Sequence, residues 1–163
     1  MKTNSFEFVY EIYDSIEELE KEDAALLEVA RAVTAQAYAP YSRFFVGATV
    51  KLDNGKLLSG TNQENASFPA GICAERTVLA AVSAVYPGAK INAMAISFRS
   101  TGTESNHPIS PCGICRQSMI EQEKRQQAPM RILLGGQAGP VFVIHSAGHL
   151  LPFSFTGEEL NKG

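Results

Sequence analysis

Two short stretches hold every cysteine of the chain and restrict its possible folds more than any other feature: Gly71-Ile72-Cys73-Ala74-Glu75-Arg76 and Pro111-Cys112-Gly113-Ile114-Cys115-Arg116-Gln117. Together they offer three thiolates and a nearby carboxylate, whereas a closed structural zinc site takes four protein ligands. Three ligands leave a place for water. Water on zinc has a pKa near ~7, and Glu75, two residues after Cys73, is placed to carry protons to and from it. Both stretches read as helix starts, so the positive ends of two helix dipoles would favour the thiolates. Three thiolates on one zinc leave an excess of negative charge that calls for a cation nearby. Arg76 and Arg116 are the candidates, with Arg76 expected to donate hydrogen bonds to the ligand sulfurs.

Two plainer readings compete. The cysteines could form a structural zinc knuckle closed by His107, His145 or His149, but His107 lies in a loop and neither of the others has metal-binding spacing to the cysteines. Glu75 alone could be a solvated first-turn glutamate favoured by the helix dipole; an open metal position two residues away favours the proton carrier.

Composition narrows the class. With 163 residues, 45% of them apolar, the chain suits one domain with its own core, spanning 1–163 with 1–15 as a possible N-terminal arm. A net charge of -3 with no basic cluster offers no electrostatic footprint for nucleic acid. No apolar run approaches the ~20 residues of a membrane span, and the N-terminal residues lack the apolar core of a signal peptide. The expected compartment is the cytoplasm, where the cysteines stay reduced and metal binding explains them better than disulfides.

Along the chain, alternation over Phe6 to Tyr13 fits a short strand or a loose arm. Ile16 to Tyr38 has helical spacing and ends before Pro40. Phe44 to Leu52 and Leu57 to Glu64 read as strands joined by the turn residues Asp53-Asn54-Gly55. Ala74 to Tyr86 is a helix closed by Pro87-Gly88. Ile91 to Phe98 is a strand, Ile114 to Lys124 a helix, and Met130 to Leu134 and Val141 to His145 the last strands. Helices interleaved with strands, one hairpin among them, predict an α/β fold: a three-layer α/β/α sandwich around a mixed sheet of about five strands.

Cys-Ala-Glu-Arg followed by Pro-Cys-x-x-Cys-Arg-Gln resembles the small, homotetrameric cytidine deaminases, zinc enzymes known to use a cysteine-rich site with a non-ligand glutamate as proton carrier. The resemblance runs from about Tyr38 to Phe155 and includes Tyr41-Ser42-Arg43-Phe44-Phe45-Val46-Gly47-Ala48 and Thr61-Asn62-Gln63-Glu64-Asn65-Ala66-Ser67. It implies a cytidine deaminase-like fold, a Zn2+ cofactor on Cys73, Cys112 and Cys115, and hydrolysis of free cytidine and deoxycytidine to uridine and deoxyuridine with release of ammonia, a pyrimidine salvage reaction. It further implies that Phe44 lies against the pyrimidine, that Asn62 and Glu64 bind ribose hydroxyls, that the Ala74 backbone contacts the base, and that Phe155 reaches the site of a neighbouring subunit. Phe68 stands where relatives often carry tyrosine. The expected partner is a nucleoside, with neither nucleic acid nor membrane. Alternatives are deamination of a blasticidin-type antibiotic, deamination of a base within nucleic acid, and a non-catalytic zinc-binding module.

Overall fold

The computed structural model describes residues 1–160 of the chain. Its centre is a six-stranded sheet in the order β1-β6-β5-β4-β2-β3, built from β1 (Tyr10–Tyr13), β2 (Phe44–Leu52), β3 (Leu57–Thr61), β4 (Ile91–Ser100), β5 (Arg131–Gly135) and β6 (Val141–Ile144). Only β4 and β5 run parallel, because a helix crosses over between them; the other pairs are antiparallel. The mixed sheet expected from the pattern is present with one strand more. Part of the N-terminal arm, Tyr10–Tyr13, docks on β6 and becomes the edge.

Three helices cover the sheet: α1 (Lys21–Val33), α2 (Ala74–Val85) and α3 (Gly113–Gln126). The single long helix expected over Ile16 to Tyr38 is instead α1 flanked by 3-10 turns at Ile16–Glu18 and Thr34–Gln36. Thr34 helps to end it by bonding back to the Arg31 carbonyl at 2.7 Å, a local competition typical of threonine.

Strand alternation divides the core in two. Leu26, Leu27 and Ala30 of α1 pack on Ala93, Ala95, Leu133 and Val143, while Val78, Leu79, Val82, Met119 and Ile120 of α2 and α3 pack on Ala48, Val50, Ile96 and Ile132. Each such large side chain, once buried, contributes roughly 1.5–3 kcal/mol before conformational entropy is subtracted. Two glycines set the closeness of the layers. A Cβ on Gly47 would lie 2.3 Å from the Ala30 carbonyl of α1, and one on Gly60 would lie 2.6 Å from the Val78 amide of α2. The helix carrying Cys73 and Glu75 therefore rests directly on β3.

Candidate active site

Cys73 is the residue that caps α2 and Cys112 the one that caps α3, and both take extended backbone angles (φ -76°, ψ 154° and φ -68°, ψ 166°). Cys115 lies in the first turn of α3, fully buried. The two helix starts meet over the end of the sheet, so the positive ends of both dipoles converge on sulfur. Cys112 and Cys115 are 3.4 Å apart, Cys73 and Cys112 3.9 Å apart, and all three sulfurs lie within 4.8 Å of one another. A tetrahedral zinc with bonds of about 2.3 Å needs sulfurs about 3.8 Å apart, so the cluster fits that ion with small adjustments.

Among the described residues no histidine or carboxylate joins the three cysteines. His107 packs its ring edge-on to Phe98 at 5.2 Å, His145 pairs with Glu11 at 3.1 Å, and His149 stacks on Phe8 at 5.6 Å. The knuckle closed by a histidine is thereby excluded.

The thiols are strongly coupled. A hydrogen bond from Cys115 draws the Cys73 thiol down to about 6, against the opposing effect of burial. The same bond, together with burial, pushes the Cys115 thiol up. A cation bound among the sulfurs would favour their deprotonated forms. Glu75 is 5% exposed. Burial raises its carboxyl above the usual range, offset in part by a backbone hydrogen bond and one from Cys115. A glutamate facing bulk solvent is not what the fold provides.

The helix start is pinned from below. Thr77 donates through its hydroxyl toward the Thr61 and Cys73 carbonyls, each at 3.1 Å. Cys73 makes no side-chain cap to α2, and Ala74, the first residue of the helix, is fully buried. Beside Cys73 opens a cavity of about 510 Å³ lined by Tyr41, Ser42, Asn62, Gln63, Glu64, Asn65, Phe68, Gly71 and Ile72, large enough for a small polar molecule with one aromatic ring.

A family model described as the zinc-binding region of cytidine and deoxycytidylate deaminases matches residues 20–128. The chain belongs to this deaminase family. A cytidine deaminase of Halalkalibacterium halodurans is 38% identical over 125 residues, covering 77% of this chain and 87% of that one. A second, of Sporosarcina psychrophila, is 34% identical over 137 residues, covering 83% and 93%. In three dimensions the chain is similar to the crystal structure of cytidine deaminase from Burkholderia pseudomallei, with a TM-score of 0.70, 41% identity, and coverage of 84% of this chain and 100% of the other. Zinc is the metal that the cysteine cluster and the family share.

The residues singled out from the sequence fall into two groups: Cys73, Cys112 and Cys115 form the sulfur cluster, and Asn62 and Glu64 line the cavity beside Cys73, whereas Phe44 and Ala74 are not among the lining residues. Asn62 and Glu64 line the cavity, and both are also bonded within the chain. The Asn62 amide bonds the β2 backbone. Glu64 accepts from the Tyr41 and Ser42 amides at 2.8 and 3.3 Å, and a hydrogen bond from the Ser42 hydroxyl is the main reason its carboxyl is held below the usual range. Phe44 begins β2, half-buried, its ring stacked on Phe98 at 5.0 Å.

Arg76 makes no hydrogen bond to sulfur in the metal-free chain; it lines a separate groove of about 430 Å³ between α2 and α3 with Gln117, Glu121 and Arg125, and its charge lowers the Cys73 thiol slightly through space. Arg116 instead ties the metal loop to the C-terminal segment, donating to the Pro111 and Leu150 carbonyls at 2.8 and 2.9 Å. Phe155 is 59% exposed, its carbonyl held by Gln117 at 2.9 Å, and it is not among the residues lining the cavity of its own chain. Tyr41 and Ser42, which open one of the quoted motifs, and Phe68, which follows the other, also line the cavity; the motif alone assigns the first two no role of their own. Among the described residues no helix is long and apolar enough to cross a membrane.

Proposed function

We propose that this chain is a cytidine deaminase that converts free cytidine and deoxycytidine, with water, to uridine and deoxyuridine and releases ammonia. The observation that carries this reading is the three-sulfur cluster, joined by no fourth protein ligand among the described residues, beside a buried glutamate and a cavity of nucleoside size. Zinc held by Cys73, Cys112 and Cys115 supplies Lewis acidity that makes hydroxide accessible near neutral pH. Glu75 takes a proton from the attacking water and delivers it to the ring nitrogen, then carries the second to the departing amine, so that ammonia leaves as the ring gains its carbonyl oxygen.

Phe44 presents the free part of its ring to the pyrimidine, and the first-turn backbone at Ala74 meets the base. Asn62 and Glu64 serve the sugar hydroxyls. The same reading makes residues 1–163 one catalytic unit in the cytoplasm, whose reducing poise keeps the thiols available to metal. It also makes the enzyme a homotetramer in which Phe155 completes a neighbour's site. The exposed Phe153 and Phe155, on a segment tied to α3, support this.

Purified protein assayed on cytidine, deoxycytidine and blasticidin, with zinc analysis of the same sample, tests the reading. Ammonia release from the two nucleosides is expected; full zinc occupancy without release from either would replace the enzyme by a binding module, and release from blasticidin alone would reassign the substrate.

A further inference from the structure

Beyond Thr61 the chain leaves the β2/β3 ladder. The Asn62 amide still donates to the Val46 carbonyl at 3.2 Å, but the Asn62 carbonyl accepts from the Tyr38 amide at 3.0 Å instead of from β2. The Asn62 side chain takes over: Oδ1 accepts from the Val46 amide at 2.7 Å, and Nδ2 donates to the Phe44 carbonyl at 2.8 Å. A carboxamide carries the donor and acceptor of a peptide group, so it extends the ladder past the point where the backbone turns away. The extension falls where β2 needs it. Arg43, just before Phe44, is in the left-handed region at φ 54°, and β4 holds β2 only from the opposite edge.

We propose that Asn62 is a positioning residue for the deamination: its carboxamide clamps the Phe44 end of β2 and so sets the place and tilt of the Phe44 ring. This rests on Phe44 being the residue that lies against the pyrimidine. One N–H and one lone pair of the amide remain, so the clamp coexists with a contact to a sugar hydroxyl. The choice of substrate separates the two roles, since a hydroxyl contact is worth nothing on a nucleoside that lacks the hydroxyl.

Asn62→Ala, Phe44→Ala and the double variant are assayed as full-length, zinc-loaded enzyme on cytidine and on dideoxycytidine, which lacks both ring hydroxyls. The clamp predicts that Asn62→Ala loses about tenfold in kcat/KM on dideoxycytidine, where no ring hydroxyl is left to contact, with any further loss on cytidine belonging to the hydroxyl. It also predicts that on dideoxycytidine Asn62→Ala costs little in the Phe44→Ala background, because residues acting as one unit are not additive. Amide exchange at Val46 rises in Asn62→Ala, a readout independent of turnover. A loss confined to cytidine, or losses that multiply in the double variant on dideoxycytidine, overturns the proposal while leaving the role of Phe44 intact. Unchanged turnover in Phe44→Ala overturns that role and the clamp with it. If Asn62→Ala does not fold, Asn62→Asp carries the same comparison, since it keeps the acceptor for Val46 and loses the donor to Phe44. If dideoxycytidine turns over too slowly to follow, the double variant on cytidine decides: the clamp requires that Asn62→Ala cost clearly less in the Phe44→Ala background than in the wild type, and full multiplication of the two losses overturns it.

Discussion

Gly60 offers the sharpest test of how the fold sets the site. A methyl group added there would lie 2.6 Å from the Val78 amide nitrogen and 2.8 Å from the Ala74 carbonyl oxygen, both backbone atoms that no rotamer change can move. Ordinary contact begins at 3.4 Å, so in Gly60→Ala the helix must withdraw by about 0.8 Å. Overpacking of this kind costs about 1–3 kcal/mol of stability. The catalytic cost is larger in proportion, because α2 carries Cys73 at its start and Glu75 in its first turn, and a misplacement near 1 Å costs about 100-fold in rate. We expect the variant to unfold at lower urea, to retain zinc, and to release ammonia from cytidine about 100-fold more slowly where it is fully folded. Gly47→Ala is the matched control, since its methyl would meet the Ala30 carbonyl at 2.3 Å and Val33 at 2.8 Å and so press on α1 across the sheet. It should destabilise at least as much while the folded enzyme keeps most of its rate. Wild-type stability and rate in Gly60→Ala, or an equally steep rate loss in Gly47→Ala, would refute the claim that the seat of α2 on β3 governs the chemistry.

Other predictions follow from single groups. Glu75→Gln keeps the helix and the cysteines but cannot shuttle protons; zinc content should hold while ammonia release falls by about 100- to 10,000-fold, as read by metal analysis and an ammonia assay. Cys112→Ser, or treatment of the wild type with a strong chelator, should lower zinc content, activity and melting temperature together, and zinc should restore the chelated wild type. Glu64 has its carboxyl held below the usual range by Ser42 and the Tyr41 amide. Its anchoring of the Tyr41–Ser42 lip is therefore complete above the unfolded value of about 4.3 and lost as pH falls through the lower folded value. Amide exchange at Tyr41, corrected for intrinsic rates, should accelerate in that acid range, and Glu64→Gln should abolish the acid-dependent step.

Read alone, the sequence determined whatever depends on near neighbours. The strand Phe44–Leu52 follows from its β-branched and aromatic run, the helix Ala74–Val85 from its spacing, and the helical placement of both cysteine motifs from the change of pattern around them. The metal was equally legible, since three cysteines in two short motifs are a local fact and the structure brings their sulfurs together. What the tertiary structure decided depends on which distant backbones meet. The parallel pairing of β4 with β5, the capture of Tyr10–Tyr13 as a sixth strand, and the meeting of Cys73 with Cys112 arise from packing across many residues. Direction was hidden for the same reason. That Arg76 faces a groove away from sulfur, and that the Asn62 amide is engaged by β2, follow from the angle at which α2 lies on the sheet and from the path of the chain after Thr61. A one-dimensional pattern records the period of the side chains, whereas their partners are chosen by long-range backbone geometry.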